Sequence, residues 1–243
     1  MIIYGINPVL EALRAGRVES VRLSQRGDAR LTEILEAARR SGVGIKRVDA
    51  SELDRASKGG VHQGVVALAR DQETLGIDDL VKSAAGAPLL VVLDSIEDPH
   101  NVGAILRTVD AAGANGVVRQ ERHAAPLGGA TAKASAGAVS HVKIANVVNV
   151  ARALEELKAS GVWTVGLAGD AEKRYDQLDY TLPTAFVVGA EGTGLRRLVR
   201  ERCDWLVSIP MKGHVQSLNV SVATGVVLFE ALRQRLNRPP SGS

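Results

Sequence analysis

The chain has 243 residues, 45% hydrophobic and 23% charged, which is enough apolar content to fill one large domain or two modest ones and too much for a disordered polymer. Its formal charge of +3 is unevenly spread: residues 1–70 carry twelve basic against eight acidic side chains, the remainder eighteen against nineteen, so a phosphate-binding surface is expected in the N-terminal third. The lone cysteine, Cys203, excludes an internal disulfide, no apolar run nears the roughly 20 residues of a membrane helix, and aromatics at 3% argue against single-strand binding on stacked rings.

The opening MIIYGINPVLEALRAGR lacks the basic leader and apolar core of a signal peptide, and a cytoplasmic protein with no membrane partner is expected. Asn7-Pro8 places a capping residue before a proline at the first helical position, opening a helix in NPVLEALRAG. VESVRLS (18–24) reads as a strand, residues 29–41 as an amphipathic helix, and GIKRVD (44–49) as a strand. Ser51 to Asp54 reads as a capping box opening a short helix, and HQGVVALAR (62–70) as a closing strand. Residues 1–70 thus form a first domain. The polar, small-residue stretch that follows has no apolar period after Leu80, and a linker is placed at 71–85.

A second domain is expected over 86–238. LLVVLD (89–94), GVV (116–118), HVKIA (141–145), WTVGLA (163–168), AFVVGA (185–190) and WLVSIP (205–210) are apolar on both faces, the pattern of buried parallel strands. Helical stretches at 102–112, 150–160, 195–202 and 219–236 alternate with them, so the fold class is α/β. Pro-Pro-Ser-Gly-Ser at 239–243 reads as a disordered tail.

Three segments stand at strand ends, where parallel sheets bind ligands. In DSIEDPHNVGAILRT, Asn101 can cap a helix starting at Val102, and Arg107 leans back over Gly103. A bare glycine there leaves room for a phosphate or sugar; the alternative is a capped helix with a surface arginine. In VVGAEGTGL (187–195), Gly189, Gly192 and Gly194 allow close backbone approach around Glu191, or simply a strand-to-helix turn. The spacing is not that of a dinucleotide fingerprint, and the first strand of this domain ends in DSIEDPHN rather than a glycine-rich turn, against a nicotinamide-dependent enzyme. In SIPMKGHVQSLNVSVATG (208–225), Ser217, Asn219 and Ser221 crowd one helix start, where one cap suffices. The histidines show no metal-ligand spacing, and no metal is expected. Cys203 reads as a buried small hydrophobe.

Taken together and in this order, NVGAILRT, VVGAEGTGL and IPMKGHVQSLNVSVATG resemble the three motifs of the SpoU–TrmH ribose 2′-O-methyltransferases. NPVLEAL and VHQGVVA resemble the small RNA-binding domain of one subgroup, the one that methylates guanosine in bacterial 23S rRNA. The resemblance implies a SPOUT domain with a parallel sheet and a trefoil knot, preceded by a small α/β RNA-binding domain. It implies S-adenosylmethionine as cofactor, contacted by Gly189, Ile209 and Leu218. Arg107 would be catalytic, with Asn101, Glu191, Ser217 and Asn219 completing the site. The enzyme would be a homodimer acting on 23S ribosomal RNA, not DNA. The alternatives are a tRNA ribose methyltransferase of the same family and a non-catalytic RNA-binding module. One departure stands out: Ser140 follows SAGAV where the subgroup usually has a glutamate.

Overall fold

The computed structural model describes residues 1–25, 29–71, 73 and 75–237. The expected tail at 239–243 lies outside the described residues, as do Gln72 and Thr74 of the expected linker. In chain order the elements are β1 (Ile2–Tyr4), α1 (Ile6–Arg14), β2 (Val18–Ser24), α2 (Thr32–Arg40), β3 (Gly44–Val48), α3 (Ala50–Ser57) and β4 (Val65–Ala69). There follow α4 (Ile77–Lys82), β5 (Leu89–Asp94), α5 (Pro99–Ala111), β6 (Gly116–Gln120), α6 (Gly129–Ala134), β7 (Ile144–Val147), α7 (Val150–Ala159), β8 (Trp163–Leu167), β9 (Thr184–Gly189), α8 (Arg197–Arg202), β10 (Trp205–Val207) and α9 (Val220–Leu236). The chain forms two compact units. One holds residues 1–73, 98–107 and 125–141; the other holds 74–97, 108–124 and 142 onward.

The first unit is built on a four-stranded sheet in the order β1-β4-β2-β3, antiparallel except for the β2–β3 pair. The apolar stripe of α1 buries Val9, Leu10 and Leu13, and that of α2 buries Ile34 and Ala38. Tyr4, Val48, Leu53 and Val66 form a separate buried cluster. Two starts differ from the sequence reading. Helix α1 begins at Ile6 with Gly5 in the cap position, so Asn7 and Pro8 fall inside its first turn. The proline is tolerated there because the first amides of a helix have no intrahelical partner; the Ile6 amide donates instead to Gln63 Oε1 at 3.1 Å. Helix α3 begins at Ala50 with Asp49 in the cap position, two residues before the expected Ser51. The Asp49 carbonyl already accepts the Glu52 amide at 3.0 Å.

The second unit is built on a six-stranded, wholly parallel sheet in the order β10-β8-β9-β5-β6-β7. Every residue of β5 is buried, and burying each leucine or valine contributes roughly 1.5–3 kcal/mol. Strand β9 enters between β8 and β5 although it follows β8 in the chain. Helix α4 forms within the stretch read as a linker, because Ile77 and Leu80 find a core with Val150, Leu154 and Leu157 of α7. Strand β7 begins at Ile144 rather than His141, since Ala138–Ser140 close a short 3-10 turn just before it.

Candidate active site

Loops leaving the carboxyl ends of β8, β9 and β10 meet the first turn of α9 around a cavity of about 660 Å³. The strand ends of a parallel sheet are where ligands bind, and the volume is that of a small-molecule site. Leu167, Val188, Ile209 and Leu218 give apolar walls. Its charged lining residues are Asp170, Glu191 and Arg200, two carboxylates to one guanidinium. Of the residues singled out from sequence, Gly189, Glu191, Ile209, Ser217, Leu218 and Asn219 all line this cavity. Asn101 and Arg107 do not; they lie on the stretch of α5 that belongs to the first unit.

Gly189 ends β9, and a Cβ there would strike the backbone of Gly194 and Leu195. The loop after the strand folds back onto the strand's own end, closed by the Gly194 amide donating to the Ala190 carbonyl at 2.9 Å. Asn219 caps α9: its Oδ1 accepts from the Ser221 amide at 2.9 Å and from the Ser221 hydroxyl at 2.6 Å. Its Nδ2 donates to Glu191 Oε1, joining the second glycine-bearing corner to the third. The cap is therefore Asn219, and Ser217 is left as an exposed hydroxyl on the cavity wall.

In the first unit, α5 starts at Pro99 rather than Val102. Asp98 does the capping: its Oδ1 accepts from the His100 amide at 3.0 Å and its carbonyl from the Val102 amide at 3.0 Å. The intervening proline needs no amide partner at the first helical position. Asn101, expected as the cap, sits inside the first turn at 8% exposure. Gly103 also serves a different end from the one its spacing suggests. A Cβ there would lie 2.5 Å from Ala134 Cβ and 2.7 Å from the Thr131 carbonyl oxygen, so its bare backbone admits α6 rather than a phosphate or sugar. Arg107, one turn on, is exposed.

Sequence reasoning does not single out Asp170 and Arg200. Arg200 Nη1 and Nη2 donate to Asp170 Oδ1 and Oδ2 at 2.8 and 3.0 Å, a bidentate pair on the cavity wall. The Arg200 hydrogen bonds hold the Asp170 carboxyl below its ordinary range, and the Asp170 carboxylate raises the guanidinium in return. Asp170 stands two residues beyond WTVGLA, so the strand-end rule points to it; Arg200, inside a short helix, carries no such signal.

The SpoU rRNA Methylase family model matches residues 88–229, and the RNA 2′-O ribose methyltransferase substrate binding model matches residues 2–75. The chain is 47% identical over 239 residues to the 23S rRNA (guanosine-2′-O-)-methyltransferase RlmB of Pseudomonas syringae pv. tomato, covering 96% of this chain and 95% of the relative. It is 45% identical over 240 residues to RlmB of Xanthomonas campestris pv. campestris, covering 96% of each. The SpoU methyltransferase AviRb from Streptomyces viridochromogenes, solved in complex with AdoMet, superposes with a TM-score of 0.83 at 25% identity, over 98% of this chain and 91% of that one. With a strand-end cavity walled by two of the three glycine-bearing segments and matches running through nearly the whole sequence, the chain belongs to the SpoU rRNA methylase family.

Proposed function

We propose that this protein transfers a methyl group from S-adenosylmethionine to the ribose 2′-hydroxyl of a guanosine in 23S rRNA. The observation that carries the chemistry is the cavity at the ends of β8, β9 and β10. It has the size for a nucleoside-bearing ligand, apolar walls, a glycine floor and an excess of carboxylates suited to a cationic sulfur. The substrate is taken from the RlmB relatives. Gly189, Ile209 and Leu218, which line the cavity, would contact the cofactor. When bound, the cofactor supplies an electrophilic methyl: its S–CH3 bond breaks as the new O–CH3 bond forms, S-adenosylhomocysteine leaves, and the hydroxyl proton must be taken up.

Alignment of the two reactants contributes roughly 7–11 kcal/mol to such a step; the chain's side chains supply the rest. A guanidinium stays protonated in proteins, so Arg107 is not the base. It binds a substrate phosphate and makes the neighbouring hydroxyl easier to deprotonate. Ser217 or a phosphate oxygen passes the proton on. Asn219 fixes Glu191, which faces the substrate, and Asn101 orients the ribose. We assign RNA binding to residues 1–70, catalysis to residues 86–238 and a linking role to 71–85, in keeping with the two family-model matches. The irregular path from Ile209 to Leu218 and the insertion of β9 between β5 and β8 suit a trefoil knot, a rarity among chain paths. A cytoplasmic homodimer completes the proposal. In its support, Val222, Phe229 and Leu236 are exposed at seven-residue spacing along α9, the pattern of a helix seam that takes a second helix.

Transfer of labelled methyl to a 23S rRNA transcript, with ribose methylation mapped, tests the reading; a tRNA transcript is the comparison. Arg107→Ala is expected to lower turnover by about two orders of magnitude or more, and Arg107→Lys to recover little of it. Near-normal turnover with lysine refutes the planar phosphate contact. Methylation of the tRNA alone refutes the substrate.

A further inference from the structure

Strand β5 ends on a carboxylate with 0% exposure, Asp94. A buried charge is tolerated only when paired and hydrogen-bonded, and both oxygens of this one are engaged by a single residue, Arg196. Arg196 Nε donates to Oδ1 at 2.6 Å, Nη2 lies 2.6 Å from the same oxygen, and the Arg196 backbone amide donates to Oδ2 at 2.8 Å. The place of these bonds gives them a consequence. Asp94 is the ladder partner of Gly189, at the last rung between β5 and β9, and Arg196 holds the cap position just before α8. The six residues between Gly189 and Arg196 form the loop that lines the cavity. One residue therefore grips both ends of the loop: its backbone holds the start, its carboxylate the finish. Neither Asp94 nor Arg196 lines the cavity. Inside the loop, Gly192 and Gly194 adopt φ of +79° and +67°, and glycines lose more conformational freedom on ordering than any other residue.

We propose that Asp94 and Arg196 are positioning residues for the cofactor, acting as a clasp anchored on a buried carboxylate that sets the loop 190–195 in its binding shape before the ligand arrives. A loop ordered in advance spends none of the binding free energy on its own ordering. Cutting the clasp therefore weakens binding while leaving the methyl-transfer step intact once the cofactor is seated. The inference rests on the reading of the cavity as the S-adenosylmethionine site, and the experiment separates the two.

Calorimetry first measures S-adenosylmethionine binding to the wild-type full chain; no binding overturns both proposals. If it binds, Arg196→Ala, at a half-exposed side chain, is expected to raise the dissociation constant and the KM for cofactor about tenfold. The kcat at saturating cofactor and the KM for RNA should stay within about twofold of wild type, and Arg196→Lys should restore affinity partway. Asp94→Asn, isosteric and still able to accept the Arg196 amide, should share the signature of Arg196→Ala and serves if that variant is insoluble. Wild-type affinity in either variant overturns the clasp and leaves the proposed function standing. A fall in kcat together with a rise in both KM values assigns the pair a general structural role and overturns the clasp as well.

Discussion

At position 189 a single methyl group decides whether the cavity keeps its floor. The Cβ of an alanine would run into the backbone of Gly194 and Leu195, which cannot swing aside as a side chain can. Gly189→Ala is expected to destabilise the chain by about 1–3 kcal/mol and to weaken S-adenosylmethionine binding at least tenfold, read by denaturant titration and calorimetry. Wild-type affinity in a folded variant would show that the loop has slack. At this scale the sequence revealed which glycines matter better than why. Gly103 and Gly189 both stand in recognisable motifs, but the partner that crowds Gly103 is Ala134 on α6, thirty-one positions away, and helical spacing reports only neighbours on the same helix. Capping failed for a related reason. Asn7-Pro8 looks like a helix start, while Gly5 holds the place, because a proline is equally at home two positions deeper in the first turn; Asn101 yields to Asp98, which stands before a proline at the first helical position. Cys203, read as a buried small hydrophobe, is half-buried, packed against the edge of the core, and desolvation pushes its thiol up to about 12, out of reach of thiolate chemistry near neutral pH.

Among the elements, the alternation of apolar strands and helices was legible because strands covered on both faces have no polar side to hide the signal. Element ends and the short elements were less so. Helix α4 has six residues, too few for a period, and reveals itself only by what Ile77 and Leu80 pack against. How β10 is fastened to β8 was not legible at all. The Asp204 carboxylate accepts from the Thr164 amide at 2.8 Å and hydroxyl at 2.7 Å, and Lys158 Nζ lies 3.1 Å from its other oxygen. Burial alone would raise this carboxyl; the Thr164 and Lys158 hydrogen bonds outweigh it and leave it below its ordinary 3.8. A carboxyl lower in the folded than in the unfolded chain adds stability that is complete above the unfolded value and lost as pH falls through the folded one. Asp204→Asn should therefore cost about 1–2 kcal/mol at pH 7, with the gap to wild type closing as the pH is taken below 3.8. Urea midpoints across that range check it; a gap independent of pH would assign the cost to packing instead.

For the whole molecule, strand order was the hidden quantity. Six apolar runs announce a parallel sheet, but nothing in AFVVGA says that it pairs with β5 on one side and β8 on the other. That choice is made by packing and by the path of the chain. Assembly is argued at the same scale. If Val222, Phe229 and Leu236, exposed by 51%, 49% and 75%, form the seam between two copies, Phe229→Glu should convert a dimer to a monomer in sedimentation velocity without unfolding it, since the buried side of α9, Thr224, Val227, Leu228 and Ala231, is untouched. A wild-type chain that sediments as a monomer would remove the basis for the seam.

The join between Glu191 and Asn219 also constrains which chemistry can stand at position 219. Judged by helix starts in general, aspartate is as good there as asparagine. Here the same side chain must present an oxygen to the amides of α9 and a hydrogen to a carboxylate arriving from a segment 28 residues earlier. Aspartate would meet Glu191 with like charge, and serine would fall short of it. An amide on a one-carbon stem is the smallest group that answers both demands, so the identity of this residue is dictated by a neighbour that no local rule takes into account.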